Sequence, residues 1–399
     1  MRYEFVEENP SAKIKVFGVG GAGGNAINNM IAAGLKGVDF IAANTDKQAL
    51  DLGSALNKLQ LGANLTQGLG AGADPERGAL AAEESVEAIR AAAEDADMIF
   101  ITAGMGGGTG TGGSPVIARE GKNIGALTIA VVTKPFDFEG EKRTKAALAG
   151  IEKLKKEVDT LLVIPNQRLR ALGSRDTPFL RLMKMADDVL LYAVKGISDL
   201  ITIPGFINLD FADVKRVMEQ MGNAIMGTGM AIGENRAPEA AQMAINSPLL
   251  EDISIDQAKG VLINITGSTK MTMEEVMEGS SFIKNEVHPD AEIIWGMVFD
   301  DNMDDKMRIT VIATGIGGQR VKRVINLRDL TPEEKQEGWT VRLKEDLDRP
   351  TFQRRLAEKD SDGSPKKETG LSPGKRGMLH KLFQKENLEY PTFLRKQAD

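Results

Sequence analysis

The chain has 399 residues, 42% apolar and 27% charged, with no Cys and only two His, His288 and His380. That composition excludes a disulfide framework, a thiolate nucleophile and Cys-ligated zinc or iron–sulfur sites, and it leaves too few imidazoles for multi-His metal sites or most His-based triads. The net charge of −7 is uneven: residues 319–399 hold 19 Lys and Arg against 14 Asp and Glu, leaving −12 on residues 1–318. A body that acidic lacks the basic footprint of a nucleic-acid binder. Apolar runs such as 127–132 and 161–165 fall far short of the roughly 18 residues that span a bilayer. Residues 1–10 carry three Glu and no apolar stretch of signal type. The expectation is a cytoplasmic protein with no nucleic-acid partner and no direct membrane insertion, and the length predicts two or three domains of roughly 150 residues.

From residue 13 to about 177, short apolar runs alternate with Ala-rich stretches of helical spacing. Residues 14–18, 38–43, 98–102, 127–133 and 160–165 read as strands, with helices at 25–33 and 78–93 among them. Strands alternating with helices predict right-handed βαβ units and a parallel sheet, and strands apolar throughout predict a sheet covered on both faces. Thr177-Pro178 reads as the cap and first turn of a long helix. Its apolar positions (Phe179, Leu182, Met183, Ala186, Val189, Leu190, Ala193, Val194, Ile197) step by three and four, which predicts a central connecting helix.

Beyond Ile203-Pro204-Gly205, helices at 213–226 and 237–246 and strands at 260–266, 291–299 and 307–314 predict a smaller α+β domain ending near Gly318. The polar composition from 319 onward predicts a disordered linker. About 60 residues of it would have an r.m.s. span of roughly 45 Å. Residues 388–396 regain Leu388, Tyr390, Phe393 and Leu394 beside Arg395 and Lys396. The fold class expected is α/β: a Rossmann-like parallel-sheet domain, a central helix, a smaller α+β domain and a disordered tail. The expected division is 1–12 as an extension, 13–177, 178–204, 205–318, a linker at 319–387 and a terminal peptide at 388–399.

Two loops carry chemistry. Gly18, Gly20 and Gly23 follow a strand, open a helix and satisfy G-x-G-x-x-G, in which backbone N–H groups at a helix N-terminus receive a pyrophosphate. An NAD site would want an acid ending the second strand, but that strand ends in Asn44-Thr45-Asp46, with Asp39 at its start. The second loop, Gly104-Met-Gly-Gly-Gly-Thr109-Gly-Thr111-Gly-Gly113, follows the 98–102 strand and precedes a helix expected to start near Ser114-Pro115. A run of unshielded N–H groups with two hydroxyls and a helix dipole behind it favours an anion. Two such loops, with Gly70-Ala-Gly72-Ala73, predict that a whole polyphosphate is wrapped. No G-x-x-x-x-G-K-[ST] and no Asn-Lys-x-Asp occurs.

Residues 106–112 instead match the tubulin signature [SAG]-G-G-T-G-[SAT]-G at every position. Over residues 12–318 the chain resembles the tubulin/FtsZ family of GTPases, and Tyr390-Pro-Thr-Phe-Leu-Arg-Lys-Gln resembles that family's C-terminal partner-binding peptide. The resemblance implies a first phosphate loop at Gly21, Ala22, Gly23, Gly24 and Asn25, and a signature loop at Gly107, Gly108, Thr109, Gly110 and Thr111. It implies that the loops Asn44-Thr45-Asp46 and Ala71-Gly72-Ala73 approach the γ-phosphate and Mg²⁺, that Glu139 and Arg143 contact the ribose region, and that Asn166 and Asp187 read guanine. A carboxylate at Asp187 can accept from both N1–H and the 2-amino group of guanine but would repel the N1 acceptor of adenine.

Asp210 and Asp213 sit at i, i+3 behind Asn208. Taken alone, helix capping and a favourable dipole explain them. The resemblance implies instead that Asn208, Asp210 and Asp213 enter the nucleotide pocket of the next subunit and polarise the attacking water, so that GTP is hydrolysed to GDP between subunits. Such a head-to-tail contact does not close on itself and generates filaments. The implied cofactors are GTP/GDP and Mg²⁺. The implied partners are further copies of the chain and, through residues 388–399, division-machinery and membrane-tether proteins, at a mid-cell ring on the inner face of the membrane. Gln167 and Gly113-Ser114 depart from the family's usual residues. An NAD-dependent oxidoreductase and a non-hydrolysing tubulin-like scaffold are the alternatives.

Overall fold

The computed structural model describes residues 12–172, 176–202, 210–219, 222–250 and 255–315. In chain order they form β1 (Ile14–Val19), α1 (Gly20–Ala32), β2 (Val38–Asn44), α2 (Lys47–Leu52), β3 (Asn57–Gln60), α3 (Ala63–Thr66), α4 (Pro75–Glu84), α5 (Val86–Ala93), β4 (Met98–Gly104), α6 (Thr109–Asn123), β5 (Leu127–Lys134) and α7 (Glu141–Glu157). There follow β6 (Thr160–Pro165), α8 (Asn166–Leu172), α9 (Phe179–Thr202), α10 (Phe211–Glu219), β7 (Gly222–Ile232), α11 (Arg236–Ile245), β8 (Gly260–Gly267), α12 (Met273–Glu286), β9 (Glu292–Phe299) and β10 (Lys306–Thr314). The N-terminal extension, the linker and the terminal peptide read from the sequence lie outside the described residues.

One sheet runs through all ten strands in the order β3-β2-β1-β4-β5-β6-β7-β10-β8-β9. The first six are parallel and carry the 3-2-1-4-5-6 order of a Rossmann-type sheet. Their faces are buried under separate cores: Phe17, Ile99, Ile101 and Ile117 on one side, and Met30, Phe100, Ile129 and Leu190 on the other. The smaller α+β part is continuous with this sheet, because β7 pairs with β6 in parallel from Thr160↔Gly222 to Leu162↔Ala224. Beyond that seam β7–β10 and β10–β8 are antiparallel and β8–β9 is parallel. Helix α9 buries Val189, Leu190, Val194 and Ile197 in a core that also holds Met226, Leu262 and Ile312 from the later strands.

Four elements differ from the sequence reading, the first being α1, which begins at Gly20 rather than at residue 25. The helix expected at 213–226 stops at Glu219, and residues 222–232 are a strand. Its glycines explain the error: a Cβ on Gly227 would lie 2.0 Å from the Ala244 carbonyl oxygen, and one on Gly229 2.1 Å from that of Ala240. The Gly-x-Gly pair therefore marks a strand face that α11 approaches closely. The helix expected at 78–93 is two, broken at Ser85, whose hydroxyl accepts from Gly62 N at 2.9 Å. The helix expected to begin near Ser114 begins at Thr109. Much of the second glycine run is thus helical, and it is glycine because α4 crosses there. A Cβ on Gly112 would meet Pro75 O at 2.0 Å, and one on Gly78 would meet Gly108 O at 2.3 Å. Arg119 clamps the same crossing with two bonds to Glu83 at 2.7 and 2.8 Å, and buried Glu120 accepts from the Nε atoms of Arg90 and Arg119.

Candidate nucleotide site

In a doubly wound sheet a ligand sits beyond the carboxyl ends of the strands where the strand order reverses. Here the reversal lies between β1 and β4, and the two glycine loops leave those two strands. Between them opens a cavity of about 520 Å³, within the range of small-molecule sites. Gly21, Ala22, Gly107, Gly108, Thr109 and Gly110 line one end; Glu139, Arg143, Asn166, Phe138, Phe179 and Met183 line the other.

The residues fit a polyphosphate nucleotide. No atom lies within 4 Å of where a Cβ would stand on Gly21 or Gly107, so their backbones are open to a ligand. Gly106, at φ +100° and with Arg143 O 2.8 Å from its missing Cβ, holds the bend that exposes them. The N-termini of α1 and α6 face the cavity with no acid in either first turn, leaving both dipoles free for an anion. At the far end the Asn166 Oδ1 is buried without a partner, and a buried unpaired acceptor calls for a ligand donor. Phe138 stacks on Phe136 at 5.3 Å and meets Phe179 edge-on at 5.9 Å. Both remain exposed (69% and 56%), an apolar surface suited to a planar ring. Glu139 accepts from Phe136 N at 2.8 Å and pairs with Arg143 at 2.6 Å, fixing the arginine at the rim.

The other expected site residues stand elsewhere. Gly24, Asn25 and Asn44 line a smaller cavity of about 230 Å³ on the far side of Gly20 and Gly21. Gly23 is packed inward, where a Cβ would lie 2.4 Å from Thr102 O. Gly72 and Ala73 both take positive φ (65° and 59°) in the loop before α4; the strain at Ala73, which is not glycine, is of the kind stored at functional loops. Thr111 turns away from the cavity: its hydroxyl accepts from Gly106 N at 2.8 Å, and it lines a separate groove beside α4 and α7. Asp187 lies one turn beyond Met183 on α9, half-buried. Burial, with Asp188 beside it, pushes its carboxyl up to about 6. Sequence reasoning did not single out Phe138, Phe179 and Met183 as lining residues, since their exposure shows only in three dimensions.

Helix α9 begins at the cavity with Phe179 and, at 24 residues, carries the chain about 36 Å away. It ends at Thr202, beside Gly37, at the amino edge of β2. Asp210 then caps α10, accepting from Ala212 N at 3.3 Å, with exposed Asp213 in the first turn. The far end of α10 is tied to the amino end of β6 by the bond from Thr160 Oγ1 to Met218 O. Helix α10 is therefore held at the amino ends of the strands, the opposite end from the glycine loops. Asn208 lies outside the described residues. Among the described residues no group of three or more acidic or His side chains could hold a metal, and no helix is long and apolar enough to cross a membrane.

Residues 13–174 match the tubulin/FtsZ family GTPase domain, and residues 222–317 match the FtsZ family C-terminal domain. The chain is 54% identical over 318 residues to the cell division protein FtsZ of Magnetospirillum gryphiswaldense, covering 79% of this chain and 57% of that protein. It is 53% identical over 326 residues to the cell division protein FtsZ of Rickettsia felis, covering 80% and 72%. Among solved structures, an empty FtsZ dimer from M. jannaschii superposes with a TM-score of 0.74 at 49% identity, covering 76% of this chain and 88% of that one. CetZ2 of Haloferax volcanii, in a GTPγS-bound protofilament, shares the fold with a TM-score of 0.65 at 21% identity, covering 78% and 95%. A signature glycine loop at the switch point of a Rossmann-ordered sheet, family matches in both halves and more than half identity over about four fifths of the chain lead to one assignment: the chain belongs to the FtsZ family, with that family's GTPase domain in residues 13–174.

Proposed function

We propose that this protein binds and hydrolyses GTP, assembles head to tail into filaments, and serves as the ring-forming protein of bacterial cell division. The observation that carries the reading is the separation along the strands of the cavity, at their carboxyl ends, from the helix that carries Asp210 and Asp213, which is tied to their amino ends. A subunit so built completes its site only with the next copy, which explains why hydrolysis should depend on assembly.

In this reading residues 13–177 bind nucleotide, 178–204 span the subunit, and 205–318 complete the neighbour's site. Gly21, Gly107, Gly108 and Gly110 donate backbone N–H groups to phosphate oxygens, Arg143 faces the sugar–phosphate, and Asn166 and Asp187 take the base. Asn208, Asp210 and Asp213 orient water against the neighbour's nucleotide. Asn44, Gly72 and Ala73 would lie beside a Mg²⁺ bound with the nucleotide, which would supply charge neutralisation. Residues 388–399 dock division-machinery and membrane-tether proteins at the inner face of the membrane.

The test is direct. Purified protein binds GTP well above ATP or NAD, and phosphate release per subunit rises steeply above a threshold concentration at which scattering or sedimentation reports polymer. Equal binding of ATP and GTP removes the guanine assignment, and turnover independent of concentration removes the shared site.

Asp187 gives a second expected result, in pH. Its raised value means that the empty fold loses stability as pH climbs from the ordinary carboxylate range near 4 to about 6. Guanine's two N–H donors favour the ionised form, so GDP affinity falls as pH drops through about 6. Replacing Asp187 by Ala weakens GDP binding by about 10- to 100-fold, the loss of a charged hydrogen bond. It also flattens that pH dependence relative to the parent, a comparison in which the phosphate's own titration cancels. Calorimetry across pH 5 to about 8 on both proteins checks it, and identical profiles would remove Asp187 from the base site.

A further inference from the structure

We infer that Thr45 is a positioning residue for the phosphate cradle, giving its hydroxyl proton to Thr109 so that the Thr109 proton points at the ligand. The inference rests on the reading that the Gly107–Gly110 end of the cavity receives phosphates. Thr45 is fully buried just past β2, and its Oγ1 lies 2.6 Å from the Oγ1 of Thr109, the first residue of α6 and part of the cavity wall. Either oxygen of such a pair can be the donor, because each hydroxyl has one proton and two lone pairs.

The two arrangements differ toward an anion. If Thr109 donates to Thr45, it turns only lone pairs to the cavity, and these repel a phosphate oxygen. If Thr45 donates to Thr109, the Thr109 proton is free for the phosphate, and the chain Thr45 to Thr109 to phosphate is polarised in one direction. A bound polyphosphate therefore selects Thr45 as donor.

Thr45 is held where it can do this. Its carbonyl accepts from Gly70 N at 3.2 Å and lies 3.2 Å from the Thr66 hydroxyl, whose proton it shares with Gly62 O at 2.9 Å. On the preceding residue, Asn44 O accepts from Leu61 N at 2.9 Å, and Asn44 Oδ1 accepts from Asp46 N at 3.2 Å. The residue thus joins the loop after β2, the Gly70 loop and the head of α6, and no other hydrogen-bond acceptor for its side chain is present among the described residues.

Two substitutions separate this from packing. Thr45→Val keeps the volume and removes the hydroxyl; Thr45→Ser keeps the hydroxyl and removes the methyl. Measured below the assembly threshold, Thr45→Val weakens GTP binding about tenfold and Thr45→Ser stays within about twofold of the parent, the scale of one directed hydrogen bond. A packing role reverses that order. Affinity for guanosine, which has no phosphate, stays level through the series and shows that each variant is folded. In a Thr109→Ala background the Thr45→Val effect disappears, since its route to the ligand is gone. GTP affinity of Thr45→Val equal to the parent's, equal losses in Val and Ser, or an undiminished effect without the Thr109 hydroxyl would each overturn the inference. A parent that binds guanosine as tightly as GTP overturns the phosphate cradle itself, a separate failure.

Discussion

Asp210→Asn and Asp213→Ala should leave GTP binding by the isolated subunit intact while lowering hydrolysis by about 10²-fold or more, the scale of a positioned polar catalyst. Asn is the informative choice at 210, because it caps α10 as well as Asp does and removes only the charge. Complementation makes the test sharper. Gly107→Val places a side chain in open cavity space, so that subunit should fold, fail to bind nucleotide and still present its own acids. Mixed with Asp210→Asn subunits, it should restore part of the activity through interfaces that pair one intact nucleotide site with one intact acidic loop. Two inactive proteins that remain inactive together, over concentrations where polymer forms, would rule out a site shared in this way.

The second large effect concerns stability. A Cβ on Gly112 would stand 2.0 Å from Pro75 O and 2.5 Å from Ala79 N. Both are backbone atoms and cannot rotate away, so α4 must leave α6. Gly112→Ala should therefore cost at least about 3 kcal/mol, the upper range of core overpacking. That is a fall in Tm of roughly 6–12 °C at 2–4 °C per kcal/mol. GTP affinity should fall too, because α4 continues directly from the loop holding Gly72 and Ala73. The neighbouring glycine supplies the control. At Gly113 the added methyl meets only side-chain atoms at 3.5–3.7 Å, and in a helix Ala is favoured over Gly by about 1 kcal/mol. Gly113→Ala should match or exceed the parent in Tm. Thermal unfolding of the two variants side by side decides it, and equal melting points would mean that the α4–α6 crossing relaxes freely.

Much of the nucleotide half was legible because its strands are apolar throughout and its glycines follow them directly. All five expected strands there form, each within two residues of its expected ends. β3 escaped notice because four residues with Asn57, Lys58 and Gln60 among them carry no apolar period. β7 escaped because Val214, Met218, Met221 and Ile225 step by four, three and four like a helical stripe, whereas Gly227 and Gly229 answer to α11, which a linear reading does not see. The second glycine run was read as one anion loop, but it divides its labour: Gly106 and Gly107 open the cavity while Gly108 admits the loop before α4 and Gly112 admits α4 itself. Composition cannot separate those uses, since both demand the absence of a side chain. The Thr45–Thr109 pair spans 64 residues, and only the sheet brings it together.

The strand order also bears on how the chain can be made. Every strand of the 3-2-1-4-5-6 portion exists once residue 165 has been synthesised. The later portion is different, because β10 is wedged between β7 and β8 and neither pairs with the other without it. From the end of β7 at Ile232 to the start of β10 at Lys306, a ribosome adding about 5–20 residues per second leaves an unpaired strand edge waiting for roughly 4–15 s. That edge, with Met226, Met230 and Ile232 along it, is a template for pairing with another nascent chain. Codon usage and chaperone supply over this interval, rather than the stability of the finished fold, would then set how much of the protein escapes aggregation when it is overproduced.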